Sequence, residues 1–177
     1  NYGVYRKGKV EMANSNRIFL NFDFAGEATE DDYAEQVNCL RCTMHIVVAQ
    51  QENTGNLNAV GSSQHSGITL TKHTCTATPS IVEKASSGIA LSNDAILTFC
   101  RFSNGTLTEY RKITLTGVKI VKYEMLDSRG FEGEDDKLPT ESFTLVYQTI
   151  EDSYTPLAAD GSTGGQTAGG YDVSQSK

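Results

Sequence analysis

The residues with the most specific chemistry in this 177-residue chain are four cysteines and three histidines. Cys39-x-x-Cys42, taken with His73 and Cys75, has the donor set of a Cys3His zinc centre. The spacing argues against one. In a strand, residues three apart point to opposite faces, so Cys39 and Cys42 would diverge. His73-x-Cys75 lacks the separation of a zinc pair. Cys75 and Cys100 sit in apolar, strand-like runs, where a free cysteine packs as a small hydrophobe. A redox role for the pair needs a helix N-terminus beside a βαβ unit, and none is visible. Four reduced cysteines are expected, with no metal and no cofactor.

His45, His65 and His73 come without a G-x-S-x-G, an H-E-x-x-H or a phosphate loop. They are expected to be surface or interface residues, and the chain is expected not to be an enzyme. Glu132-x-Glu134-Asp135-Asp136 partly resembles a calcium loop, with Gly133 at the bend. It lacks the D-x-[DN]-x-[DN]-G order and reads as a solvated loop before the last strand.

The elements that would position these residues are mostly strands. Arg17 to Phe24 places Ile18, Leu20, Phe22 and Phe24 at period two, the pattern of a half-buried strand. Val37–Ala49 is long and rich in β-branched residues, and Gly67–Cys75 alternates again. Between them Gln50–Ser66 reads as a long polar connection. One helix is signalled by Thr78 as N-cap, Pro79 at the first position and Gly88 after the last turn. Ile81, Val82, Ala85 and Ile89 would form its apolar stripe. Ala95–Phe102, Thr108–Thr116, Val118–Leu126 and Glu141–Ser153 complete the strands. Asn104-Gly105 signals a hairpin, and Gly117 a bulge or tight bend. Seven strands and one helix predict a mainly β fold, a small antiparallel β-barrel or sandwich with one flanking α-helix.

The net charge is -7, and residues 130–177 alone carry nine acids against Lys137 and Lys177. So acidic a chain, without a long basic cluster, is poorly suited to nucleic acid, whose phosphates are bound by Lys and Arg. No apolar run approaches the ~20 residues of a membrane-spanning helix, so no membrane insertion is expected. The start of the chain lacks the apolar stretch of a signal peptide. Met12-Ala13-Asn14-Ser15 looks like a translation start. Residues 1–11 therefore read as an upstream or vector-derived extension, 12–157 as the folded domain and 158–177 as a flexible Gly-rich tail. With 38% hydrophobic residues and no Trp, the core is modest, which leaves room for stability from a partner surface.

Three stretches resemble the Hcp (hemolysin-coregulated protein) family, the inner-tube protein of bacterial type VI secretion. Ile18–Asp32, IFLNFDFAGEATEDD, is similar to the family's first strand and Gly-Glu-x-x-Asp loop. Phe131–Tyr147, FEGEDDKLPTESFTLVY, is similar to its Gly-Glu-Asp-x-x-Pro-Thr-Glu turn and following strand, with Leu138 as an extra residue before Pro139. Ala168-Gly169-Gly170-Tyr171-Asp172 resembles a Gly-Gly-aromatic-Asp ending. The resemblance implies a β-barrel with a flanking helix, homohexameric rings and their stacking into a tube. It implies spike, sheath and baseplate as partners, small effector proteins in the lumen, and bacterial cytoplasmic synthesis before export through the apparatus.

By analogy, Asn53, Thr54, Asn56, Asn58 and Ser62 are assigned to ring stacking. Glu132, Glu134, Asp135 and Asp136 are assigned to a turn at a subunit boundary. The competing reading is an acidic β-sandwich binding module for a protein or carbohydrate ligand.

Overall fold

The computed structural model describes residues 16–50, 60–103, 105–127, 138–158 and 161–175. In chain order the strands are β1 (Asn16–Asn21), β2 (Val37–Cys39), β3 (Arg41–Gln50), β4 (Val60–His73), β5 (Ala95–Ser103), β6 (Thr106–Thr116), β7 (Lys119–Asp127), β8 (Thr140–Val146), β9 (Thr149–Tyr154) and β10 (Thr167–Asp172). Helix α1 (Thr78–Ser87) lies between β4 and β5 and packs along β7. All pairings are antiparallel, in a six-stranded sheet ordered β10-β9-β6-β5-β1-β2 and a four-stranded sheet ordered β3-β4-β8-β7.

The two sheets face each other and share one core. Leu20, Leu97, Phe99, Ile113, Leu115 and Ile150 come from the larger sheet, and Ile68, Leu70, Ile120, Phe143 and Leu145 from the smaller. These residues alternate with outward-facing ones along their strands, which is how a pleated strand buries one face. Among the described residues no ladder joins the sheets, so the architecture is the sandwich and not the closed barrel.

Two stretches that read as single strands are each split between the sheets. Val37–Ala49 breaks at Leu40, whose N–H donates to Thr71 O at 2.7 Å. The backbone thereby leaves the β1 ladder and joins that of β4 within one residue. Glu141–Ser153 breaks at Tyr147-Gln148 and passes from β8 to β9. Gly117 makes the crossing from β6 to β7 at φ 61°, and a Cβ there would collide with the Gln148 side chain. In each case continuous β-propensity hides a corner, because a strand that changes sheets keeps its local conformation on both sides of the bend.

The polar stretch Gln50–Ser66 is only partly a connection, because β4 begins at Val60. Gly67 sits within β4 at φ 81°, opposite the bulge between Met44 and Ile46, and a Cβ on it would lie 2.5 Å from Leu145 O. Only glycine allows that close approach of backbones.

β1 is covered on both faces, which its period-two pattern did not predict. Phe19, Ala28 and Cys100 form a second small cluster, with Phe19 stacked on Tyr33 at 4.4 Å. The segment between β1 and β2 folds over the outer face of the larger sheet to make it.

The helix starts one residue earlier than expected, with Ala77 in the N-cap position, and Gly88 closes it in the left-handed conformation. Its stripe is half used. Ile81 is fully buried, whereas Val82 and Ile89 are exposed.

Candidate assembly surfaces

The smaller sheet carries its two hairpin connections at opposite ends. β3 and β4 pair out to Gln50 and Val60, while β8 covers β4 only from Ile68 to His73. The outer half of the β3–β4 hairpin therefore pairs only with itself and forms an arm. Ile46, Val47 and Val48 are all exposed on it, so both faces of the arm are apolar. Such patches mark interaction surfaces. Of the residues expected to stack rings, Asn53, Thr54, Asn56 and Asn58 lie outside the described residues, and Ser62 falls on β4.

β7 ends and β8 begins at the other end of the sheet, because β7 runs antiparallel to β8 and β8 antiparallel to β4. Glu132, Glu134, Asp135 and Asp136 lie outside the described residues. β7 exposes Val121, Met125 and Leu126. β3 and β7 are the edges of the smaller sheet, and each carries two bulges. Bulges blunt indiscriminate edge pairing while leaving side chains available for a specific partner.

A groove of about 370 Å³ opens between β3–β4 and β9–β10, lined by Met44, Ile46, His65, Ile150, Gly170 and Tyr171 among others. Tyr171 stacks on His65 at 5.4 Å with rings nearly parallel, and Ser63 Oγ donates to its hydroxyl at 3.0 Å. His65 Nδ1 and Tyr147 OH share a hydrogen bond at 2.9 Å. Burial raises the Tyr147 phenol. Beside the groove Arg111 donates to Asp152 through Nε and Nη2, at 2.9 and 2.6 Å, and lies over the Phe99 ring. The hydrogen bond with Asp152 raises the Arg111 guanidinium further. Sequence reasoning missed this seam. Its one signal was Tyr171 in the Gly-Gly-Tyr-Asp ending, on a strand whose other side chains bury almost nothing.

The cysteines hold no metal geometry. Among the described residues no cluster of His, Cys, Asp and Glu could hold an ion. The expected divergence of Cys39 and Cys42 is corrected, since both turn towards the core because the chain changes sheets between them. Burial pushes the Cys39 and Cys100 thiols up, and the Cys42 thiol up to about 11. The histidines do not converge. His73 Nδ1 donates to Leu138 O at 2.9 Å, and His45 accepts a hydrogen bond from Ser66 Oγ only through its backbone oxygen.

Beneath the start of α1 lies a buried polar network. Lys72 pairs with Glu141. Lys72 Nζ also donates to Thr78 Oγ1 at 2.9 Å and to His73 O at 3.1 Å, and contacts Cys75 Sγ at 3.2 Å. Glu141 accepts from Thr78 Oγ1 at 2.7 Å, Tyr123 OH at 3.0 Å and Thr74 Oγ1 at 3.3 Å. Thr78 thus ties the helix to β4 and β8 instead of capping its own N–H groups. Its hydroxyl accepts from the Cys75 N–H, just upstream of the helix.

This arrangement defines a class: an antiparallel β-sandwich with one flanking helix and bulged sheet edges that expose apolar side chains. The family model described as "Type VI secretion system effector, Hcp" matches residues 19–154, and the chain belongs to that family. It is thereby a structural, secreted tube protein of type VI secretion. Among solved structures, a type six secretion system protein superimposes with a TM-score of 0.78 at 21% identity, covering 91% of this chain and 98% of the other. Hcp1 from Salmonella typhimurium gives 0.70 at 22%, covering 92% and 98%. The secreted protein Hcp3 from Pseudomonas aeruginosa gives 0.59 at 16%, covering 89% and 96%. No curated protein sequence matches the chain.

Proposed function

We propose that the chain assembles into six-membered rings, that the rings stack into the type VI inner tube, and that the tube is expelled by contraction of a surrounding sheath. The observation that carries this reading is the family match over residues 19–154. The exposed apolar side chains of the arm and of β7 support it, because they leave burial for a neighbouring copy to complete. In this role the protein is not an enzyme. It is made in the cytoplasm, meets spike, sheath and baseplate, and carries small effectors in the ring lumen. Among the described residues no helix is long and apolar enough to cross a membrane.

The stacking role goes to the hairpin carrying Asn53, Thr54, Asn56, Asn58 and Ser62, and the subunit boundary to Glu132, Glu134, Asp135 and Asp136. The two ends of the smaller sheet suit these roles, since a stacked ring needs contacts above and below. Negative-stain imaging and size exclusion test the reading. Rings about six subunits around are expected. A strict monomer at high concentration overturns it. Removing residues 53–61 should spare single rings and abolish tubes, and unchanged tube formation would withdraw the stacking assignment. If the acidic turn lies at a boundary, assembly depends on pH and salt, whereas indifference to both places those acids in plain solvent.

A further inference from the structure

Cys75 differs from the other three cysteines. Like Cys42 it is partly accessible, but here the fully buried Lys72 points its ammonium nitrogen at the sulfur from 3.2 Å. Glu141 and Thr78 hold that nitrogen in place, and both bind it on the side-chain atoms that also bind each other. The amine can reach the sulfur by a small side-chain shift, and a proton acceptor is already in contact with it. Cys39, Cys42 and Cys100 have no amine in such contact among their described hydrogen bonds, and burial holds their thiols in the unreactive form.

We propose that Cys75 is a peroxide-sensitive thiol whose oxidised sulfur is captured by the Lys72 amine as a sulfur–nitrogen bond. In the first step hydrogen peroxide loses its O–O bond. The sulfur gives up two electrons, Cys75 becomes the sulfenic acid, and one water leaves. In the second step Lys72 hands one ammonium proton to Glu141. Its nitrogen then attacks the sulfur, and the sulfenic hydroxyl departs as water with a second nitrogen proton. One N–H remains on the new bond, and the buried charge pair becomes a neutral pair. A dithiol reverses the link, regenerating thiol and amine as it is oxidised to a disulfide.

The test uses the full chain treated with hydrogen peroxide and read by intact mass and tryptic mapping. Relative to reduced protein, the linked form is lighter by about 2 Da. Trypsin no longer cuts after Lys72, so residues 42–84 appear as one peptide, and dithiothreitol restores the cut. Cys75→Ser should abolish all three signs without disturbing the ion pair. In the double variant Lys72→Met with Glu141→Leu, which leaves no unpaired charge, Cys75 should stop at a sulfenic acid trapped by dimedone. Oxygen added to Cys75 with Lys72 still cleaved overturns the proposal, as does oxidation of Cys39, Cys42 or Cys100 ahead of Cys75.

Discussion

Lys72 and Glu141 face each other in register across the β4–β8 ladder and form an ion pair closed off from water on both sides. Every oxygen and proton around it is engaged by Thr74, Thr78, Tyr123 or the His73 carbonyl. Removing one partner leaves a buried, unpaired charge. Glu141→Leu alone or Lys72→Met alone should therefore lower stability by about 3–5 kcal/mol, and the double replacement by far less. Urea denaturation at a fixed protein concentration measures both. Equal losses in single and double variants would show that the pair is not the stabilising unit.

Asp23 acts across the junction that follows α1. Its carboxylate accepts from Ser92 N–H at 2.7 Å and Asn93 N–H at 2.8 Å. Burial raises the carboxyl, but these hydrogen bonds outweigh it and hold it below its ordinary value. A depressed folded-state value means that the contribution is complete above the usual aspartate range of about 3.9 and is lost as pH falls through the folded value. Asp23→Ala should cost about 1 kcal/mol at neutral pH, with a smaller difference from the parent in strong acid. Thermal melts across the acid range read the sign directly. A gap that widens on acidification would contradict it.

Cys42 should alkylate slowly in the native state at neutral pH, with a rate climbing as pH approaches about 11. Cys39 and Cys100 should stay silent until the chain unfolds, because burial raises their thiols as well. Iodoacetamide kinetics followed by peptide mass spectrometry distinguish the sites. Fast labelling of Cys42 at neutral pH would mean that β3 opens readily from the core.

Tyr171 is the anchor of β10. The strand pairs with β9 over six residues, yet its side chains are exposed apart from the part-buried Asp172, and the exposed Tyr171 reaches across to stack on His65. Tyr171→Ala should loosen residues 167–172 while leaving the core melt within about 1 kcal/mol of the parent. Hydrogen exchange is the measurement, with faster exchange confined to β10 and its β9 partners. Uniform protection in the variant would show that main-chain pairing alone holds the strand.

The period-two placement of Leu20 and Phe22 and the alternation of Ile68 and Leu70 were legible in the sequence and correctly marked core-facing residues. The hairpin at Asn104-Gly105 and the stop at Gly88 were legible too, because each depends on local backbone chemistry. The corners at Leu40 and Tyr147-Gln148 were not, since β-propensity is the same before and after a change of sheet. Nor was the seam of His65, Tyr147 and Tyr171, whose members lie on β4, at the β8–β9 corner and on β10, far apart in the chain and with no shared spacing.

By itself the sequence determined the antiparallel β class, the single capped helix and the family resemblance, all of which rest on interactions between near neighbours or on short motifs. Only the tertiary structure decided which strands share a sheet and that, among the described residues, no ladder joins the two sheets. The same is true of Lys72, an ordinary charged residue in the sequence that becomes the buried partner of Glu141. Burial and pairing between residues distant in sequence depend on where the chain turns, and at these turns the local sequence is indifferent to the choice.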